Sequence, residues 1–277
     1  MSTALAVHHG RFGRAVLYQM DRAMTTHAHR EGHLLFHVEG PAGGLVVDGV
    51  HHPIAPHAAV AVSPWEPHNY EPAPDAGPSL FLILYIKPLW FLETSRSAQF
   101  AFRFGRNRIE MDDQIRNLVV RLTGLLLEGE GSALFDGYLF ELTRASFDQS
   151  WQWSPGSPTL AETAQTFSDF RVRKSIRLLQ SRFVEPLELS DIAREAGLSR
   201  PHFFKLFKKQ MGITPNLYLN TLRMEAAIEE LTATRRTVTD IGYRLGFASQ
   251  ASFTRFFAAN VGIPPTDYRR VAHLSAH

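Results

Sequence analysis

Residues 191–215 read DIAREAGLSRPHFFKLFKKQMGITP, and residues 240–265 return the same frame as DIGYRLGFASQASFTRFFAANVGIPP. Asp191, Ile192 and Gly197 recur as Asp240, Ile241 and Gly246. After one extra residue in the turn, Ser199, Phe203, Phe207, Gly212 and Pro215 recur as Ser249, Phe253, Phe257, Gly262 and Pro265. So many preserved offsets make an internal repeat. Each copy predicts a short helix with Ile on its inner side, a turn at glycine, a serine N-cap, and a second helix with apolar residues at helical spacing. That is a helix-turn-helix. Ala193 and Gly242 are the small residues that let the second helix cross closely, and Gly197 and Gly246 supply the positive φ of the turn.

In the second helix of copy one, Phe203, Leu206 and Phe207 form the stripe to be buried. Arg200, Pro201, Phe204, Lys205, Lys208 and Lys209 are left outside it. The same positions of copy two hold Gln250, Ala251, Thr254 and Arg255. Cations interleaved with apolar groups on an outward face suit phosphates and base edges. Arg200, Lys208 and Lys209 fall to phosphate, and Pro201, Phe204 and Lys205 to bases. Arg255 can grip guanine at two points, Gln250 can pair with adenine, and Phe204 or Ala251 can touch a thymine methyl. The plainer use of the same helices is a structural repeat or a protein-docking module.

The last hundred or so residues resemble the DNA-binding domain of the AraC/XylS family of bacterial transcription regulators. The resemblance rests on GLSRPHFFKLFKKQMGITP and on IGYRLGFASQASFTRFFAANVGIPPTDYRR, the second being the longer and more restrictive pattern. It implies two recognition helices on one protomer, entering successive major grooves on one face of the duplex. Matched residue by residue, it gives the same contact set. Copy one departs from the family at Pro201 and Phe204, where polar or aromatic donors are common.

At 277 residues and 44% hydrophobic content the chain can build two domains with real cores. It holds no cysteine, which excludes disulfides, thiolate metal sites and the cysteine-dependent alkyl transfer of some relatives of such a tail. The opening MSTALAVHHGRFG lacks a secretory leader pattern, and the apolar run Leu80 to Ile86 is too short to span a bilayer, so the expected location is the cytoplasm, at the bacterial nucleoid. The net charge of +2 conceals an asymmetry. Residues 171–277 carry 17 Lys+Arg against 9 Asp+Glu, whereas residues 1–170 carry 12 against 18. The tail is the half suited to nucleic acid.

Ahead of it, short runs punctuated by EGPAGG, VDGV and EPAPDAGP predict strands at Ala15 to Met20, His33 to Glu39, Gly44 to Asp48, His51 to Ile54, Ala58 to Ser63 and Ser79 to Ile86. Such spacing argues a β-barrel or jelly roll. The fold class is therefore α+β with two domains: a β-barrel or jelly roll over residues 1–151, which through HAHREGH and SPWEPH resembles a cupin-like sensor, a Pro- and Gly-containing linker over 152–168 that lets the halves reorient, and the double helix-turn-helix over 169–277. Period-3.6 patterns predict helices from Met111 to Leu127 and Ala133 to Ser150, which either cover the barrel or supply a homodimer contact through residues 111–150. Trp90 and Phe91 suggest a short helix within Lys87 to Phe104, at the barrel mouth.

HAHREGH, with His27, His29 and His33, is followed by SPWEPH ending at His68. This resembles the cupin pattern, with His33 where that pattern usually has Glu. On one strand His27 and His29 would share the inward face. Four imidazoles suit a divalent transition metal, Zn, Ni, Fe or Cu; the alternatives are a polar pocket without metal and histidines that pack with no ligand at all. The same residues, with Phe36, Trp65 and Trp90 near the mouth, suit an organic effector equally. His8, His9, His37, His51, His52 and His57 lack convergent spacing and read as surface or packing residues. The leading function is a ligand-responsive, DNA-binding transcription regulator, an activator with RNA polymerase as a further partner. The competing one is a metal-dependent cupin enzyme, with Glu31 or Glu66 as base, or a metal-sensing regulator, either using the four histidines.

Overall fold

The computed structural model describes residues 2–74, 77–88, 90–91, 103–129, 133–151, 169–185 and 187–274. The linker expected over 152–168, and most of the segment between Phe91 and Phe104, lie outside the described residues. The chain has a β-rich N-terminal half and a helical C-terminal half.

Ten strands run in order: β1 (Thr3–Gly10), β2 (Gly13–Met20), β3 (Gly32–Glu39), β4 (Gly43–Val47), β5 (Val50–Ile54), β6 (Ala58–Val62), β7 (His68–Glu71), β8 (Ser79–Ile86), β9 (Arg108–Glu110) and β10 (Ala272–Leu274). The large sheet is ordered β10-β1-β2-β8-β3-β6-β9 and the small one β5-β4-β7. Asp48 and Gly49 both take positive φ, the turn that matches the twist of the tight β4–β5 hairpin. Six of the strands fall where the turn punctuation places them.

The pleat sorts the core. On β3 and β8, Leu35, Phe81, Ile83 and Tyr85 face the inter-sheet space with Tyr18, Leu45 and Tyr70. Leu34, Phe36, Leu82 and Leu84 face the other way. Two helices, α1 (Asp113–Glu128) and α2 (Ala133–Ser150), cover that outer face. The Asp112 side chain caps Ile115 N–H, Gly129 ends α1 in the left-handed conformation, and Ile115, Val119, Leu122 and Leu126 form the buried stripe. Trp90 packs here against Phe12 and Phe140.

The helical half comprises α3 (Phe170–Arg182), α4 (Leu189–Glu195), α5 (Arg200–Met211), α6 (Pro215–Ala233), α7 (Val238–Arg244), α8 (Gln250–Val261) and α9 (Pro265–Val271). Helices α4/α5 and α7/α8 are the two helix-turn-helix units. Phe203, Phe207, Phe253 and Phe257 are fully buried, each worth about 1.5–3 kcal/mol. Gly197 and Gly246 stand at φ +76° and +79°. The next residues, Leu198 and Phe247, donate back to the Ala193 and Gly242 carbonyls at 2.9 and 3.0 Å. That closes each turn in the same manner.

The halves are docked. The barrel interior and the second unit form one continuous hydrophobic cluster, in which Ile228, Phe253, Phe257 and Tyr268 join Val7, Val16 and Tyr85. β10, from the end of the helical half, pairs in parallel with β1, with Val7 opposite Ala272.

Candidate DNA-reading surface and histidine cluster

Helix α5 begins at Ser199 and α8 at Ser249, whose hydroxyl accepts from Ser252 N–H. Along both helices the residues outside the phenylalanine stripe stay toward solvent. Arg200, Pro201, Lys205, Lys208 and Lys209 are exposed and Phe204 half-buried; Gln250, Ala251 and Arg255 are exposed and Thr254 half-buried. Part of the positive charge of this half is paired internally. Arg171, Arg182, Arg194, Arg236 and Arg244 all pair with carboxylates. Among the described residues, no ion pair engages Lys205, Lys208, Lys209 or Arg255. Arg200 lies over the Phe204 ring at 5.0 Å. Gln250 Oε1 accepts from Thr239 Oγ1 at 2.8 Å, which turns its amide nitrogen outward.

The second constellation lies between the sheets. His27 and His29 do not sit on a strand: residues 21–31 form a loop that meets β7 through one isolated bridge, His27 to His68. The hydrogen bonds that would have made a strand go instead to orienting imidazoles. His27 Nδ1 lies 2.8 Å from Thr25 O, His29 Nδ1 3.0 Å from Glu31 O, and His68 Nδ1 2.8 Å from Glu66 O. A neutral ring whose Nδ1 proton is donated to a carbonyl presents a bare lone pair at Nε2. His33, on β3, completes the group: its Nδ1 lies 3.0 Å from His29 Nε2 and 3.1 Å from His68 Nε2. Ligand atoms of His27, His29 and His68 all lie within 4.8 Å of one another. Burial keeps all four neutral, lowering His27 to about 4 and His29, His33 and His68 well below the usual imidazole range.

Phe36 is not part of this site. It is one residue out of step with His33 and Leu35, so the pleat sends it to the helix-covered face. Trp65 instead marks the contact between halves: held at φ +66°, it stacks on Tyr218 of α6 at 5.0 Å. Glu31 and Glu66, the candidate bases, are otherwise engaged. Glu31 pairs with Arg14 at 3.4 Å, behind His29. Glu66 accepts from Ser63 N–H and Asn107.

Sequence reasoning missed the residues of the seam between the halves. Arg14 is buried over the Tyr85 ring at 3.6 Å, and Tyr85 stacks on His33 at 4.4 Å. Tyr268 Oη lies 3.0 Å from His9 Nε2, with His9 lowered to about 3 by burial and by Arg14. Glu225 on α6 meets Arg30 at 3.1 Å and is pushed up to about 7 by burial, which outweighs that cation. A buried Arg or Glu leaves no periodic trace, because its partners come from distant chain segments.

Two outward-facing helix-turn-helix units docked on a β-sandwich define the class: a helix-turn-helix protein with a second, β-rich domain. Residues 192–271 match the helix-turn-helix domain family. The TetD protein of transposon Tn10 from Escherichia coli is 38% identical over 86 residues, 31% of this chain and 62% of that protein. The regulatory protein PocR of Salmonella typhimurium is 31% identical over 109 residues, 39% of this chain and 36% of that one. An uncharacterized HTH-type transcriptional regulator of Staphylococcus aureus is 36% identical over 102 residues, 37% of this chain and 14% of its own length. The chain therefore spans less than two thirds of each of these curated relatives. Among solved structures, an apo form of ToxT from Vibrio cholerae superposes with a TM-score of 0.62 at 14% identity, covering 95% of this chain and 98% of that one. ToxT with an unsaturated fatty acid bound superposes at 0.54, also at 14% identity, covering 93% and 94%. These two establish a shared two-domain fold. Among the described residues no helix is long and apolar enough to cross a membrane.

Proposed function

We propose that the chain is a sequence-specific, DNA-binding transcription regulator acting as an activator in the bacterial cytoplasm, with residues 169–277 reading DNA, 152–168 as linker, and 1–151 sensing an effector. One observation carries the reading: both recognition helices turn exposed cations outward, and among the described residues no ion pair engages Lys205, Lys208, Lys209 or Arg255. Leaving these charges unpaired raises self-repulsion and gains nothing for the fold, but each can release a counterion on meeting a phosphate. The contact set is Arg200, Pro201, Phe204, Lys205, Lys208, Lys209, Gln250, Ala251, Thr254 and Arg255. Selecting bound sites from a random duplex pool with the full chain tests it. Enrichment of a two-part motif with half-sites about one helical turn apart is expected, and no enrichment would defeat it.

An enzymatic role finds less support, because Glu31 and Glu66 are tied up elsewhere and neither contacts the Nε2 side of the histidines. Self-association through α1 and α2 is favoured by exposed Val120, Leu127 and Leu134. Val120 and Leu127 are two turns apart on one helix face. ToxT has been solved with a fatty acid. Here the seam between Arg14, Glu31 and Tyr85 on one side and Met224, Glu225 and Ile228 on the other encloses only about 20 Å³. An organic effector of that size would have to part the halves to enter.

A further inference from the structure

The space beside the histidine cluster, bounded by Tyr18, Leu35, Leu45, Tyr70 and Tyr85, measures about 10 Å³. That is room for one water-sized body. The protons available to the cluster do not satisfy it. His27, His29 and His68 have each committed Nδ1–H to a carbonyl, so three Nε2 lone pairs look inward. His33 brings a single proton for them. On Nδ1 that proton serves His29 or His68 and leaves its own Nε2 bare; on Nε2 it leaves three lone pairs facing a fourth. In either case His33 Nε2 is buried with no hydrogen-bond partner. Buried polar atoms left in this condition are costly. One divalent cation held by Nε2 of His27, His29 and His68 and by Nδ1 of His33 satisfies those four lone pairs at once, with the His33 proton standing on Nε2. The N···N separations of 3.0 and 3.1 Å are close to the roughly 3.3 Å edge of a tetrahedron with arms of about 2.0 Å. The carbonyl partners of Nδ1, and Glu31 3.9 Å behind His29, are the supports that orient and strengthen imidazole ligands.

The loop that presents His27 and His29 also holds the reader half. Thr25 takes the His27 proton and donates its own N–H to Ala259 O, near the end of α8, at 3.2 Å. Ala28, between the two histidines, accepts from Thr221 Oγ1 of α6 at 2.8 Å. Arg30 pairs with Glu225, and His29 O accepts from Trp65 N–H, whose ring stacks on Tyr218. Every polar contact in this series is within one or two residues of a cluster histidine or of its carbonyl partner.

We propose that His27, His29 and His68, with His33 as fourth ligand, bind one divalent first-row transition cation, and that its occupancy fixes the docking of the DNA-reading half on segment 25–31. Imidazole sets of this kind take Zn(II), Co(II), Ni(II) or Cu(II). The regulatory half of this inference rests on the reading of the chain as a DNA-binding regulator; the site itself does not. The ion is the effector, and it acts by holding Thr25 and Ala28 where α8 and α6 engage them.

The test uses the full chain stripped with chelator, then titrated with Co(II) and Zn(II). One equivalent of Co(II) giving the visible bands of a four-coordinate ion, displaced by Zn(II) and lost in His29→Gln and His68→Gln, is expected. If those variants fail to fold, the wild-type stoichiometry and spectrum decide the point alone. Absence of stoichiometric binding overturns the site while leaving the DNA reading to its own selection experiment. On metal binding, amide exchange across residues 217–228 and 256–263 should slow, and affinity for the selected DNA should change by roughly 5- to 150-fold. Thr221→Val, which touches no ligand, should keep the Co(II) spectrum and weaken both responses. Metal binding with no change in exchange or DNA affinity overturns the coupling.

Discussion

Gly242→Ala sets two known effects against each other. Alanine is the better helix former by about 1 kcal/mol, and Gly242 lies within α7, so propensity alone predicts a more stable protein. A Cβ built there, however, meets Phe253 Cβ at 2.9 Å and Cγ at 3.2 Å. Carbon atoms pack best at about 3.5–4.0 Å, and overpacking of a closed core costs about 1–3 kcal/mol. Phe253 is fully buried and lies on the first turns of α8, so relief requires that recognition helix to shift. We expect a net loss of about 1 kcal/mol in urea unfolding followed by helical circular dichroism, with weaker binding confined to the half-site read by α8. Copy one supplies the control: Ala193 occupies the matching place, so Ala193→Gly should also destabilise, by about 1 kcal/mol of propensity plus a small cavity. A Gly242→Ala protein more stable than wild type by about 1 kcal/mol would refute the tight crossing.

Three further outcomes follow from the site. Arg255→Ala should cost about 1–3 kcal/mol of DNA affinity and blur preference at one base position, whereas Lys208→Ala should weaken all sequences alike and reduce the salt slope by about one; identical behaviour in titrations across salt and site variants would undo the assignment. Glu225 has a folded pKa of about 7, above the ordinary carboxyl value, so the docked form holds the proton more tightly. Its contribution is greatest below about pH 4.5 and is lost as pH rises through about 7, at most about 3 kcal/mol in all, and Glu225→Gln should flatten that slope in thermal unfolding across the window. Ending the chain after Val271 removes β10 and its pairing with β1, and should speed amide exchange of Val7 to His9 without reducing the helical signal.

The helical half was legible nearly to the residue because each of its elements is set by local chemistry repeated twice: serine cap, phenylalanine stripe, glycine turn, proline start. The second helices predicted after Ser199 and Ser249 are Arg200–Met211 and Gln250–Val261, each ended by its glycine. The sandwich was legible where strands are bounded by Gly and Pro. β7 and β9 escaped because runs of four and three residues are too short for their alternation to stand out, and β10 because its pairing with β1 is set by docking. The histidines could be gathered from spacing, but the wrong local structure was assigned to His27 and His29. A strand uses its backbone groups for a ladder; here the carbonyls of Thr25 and Glu31 are used to aim rings. Phe36 could have been placed by counting parity from His33.

The pairing of β1 with β10 also sets an order on folding. Val7 to His9 find their outer neighbour only in residues 272–274, more than two hundred and fifty positions later. Until those have emerged from the ribosome, that edge of the large sheet is an open row of donors and acceptors, able to recruit any extended peptide. Closing so long a loop is slow. During elongation the β-rich half therefore keeps this edge open, and a product truncated before residue 272 remains adhesive along its first strand.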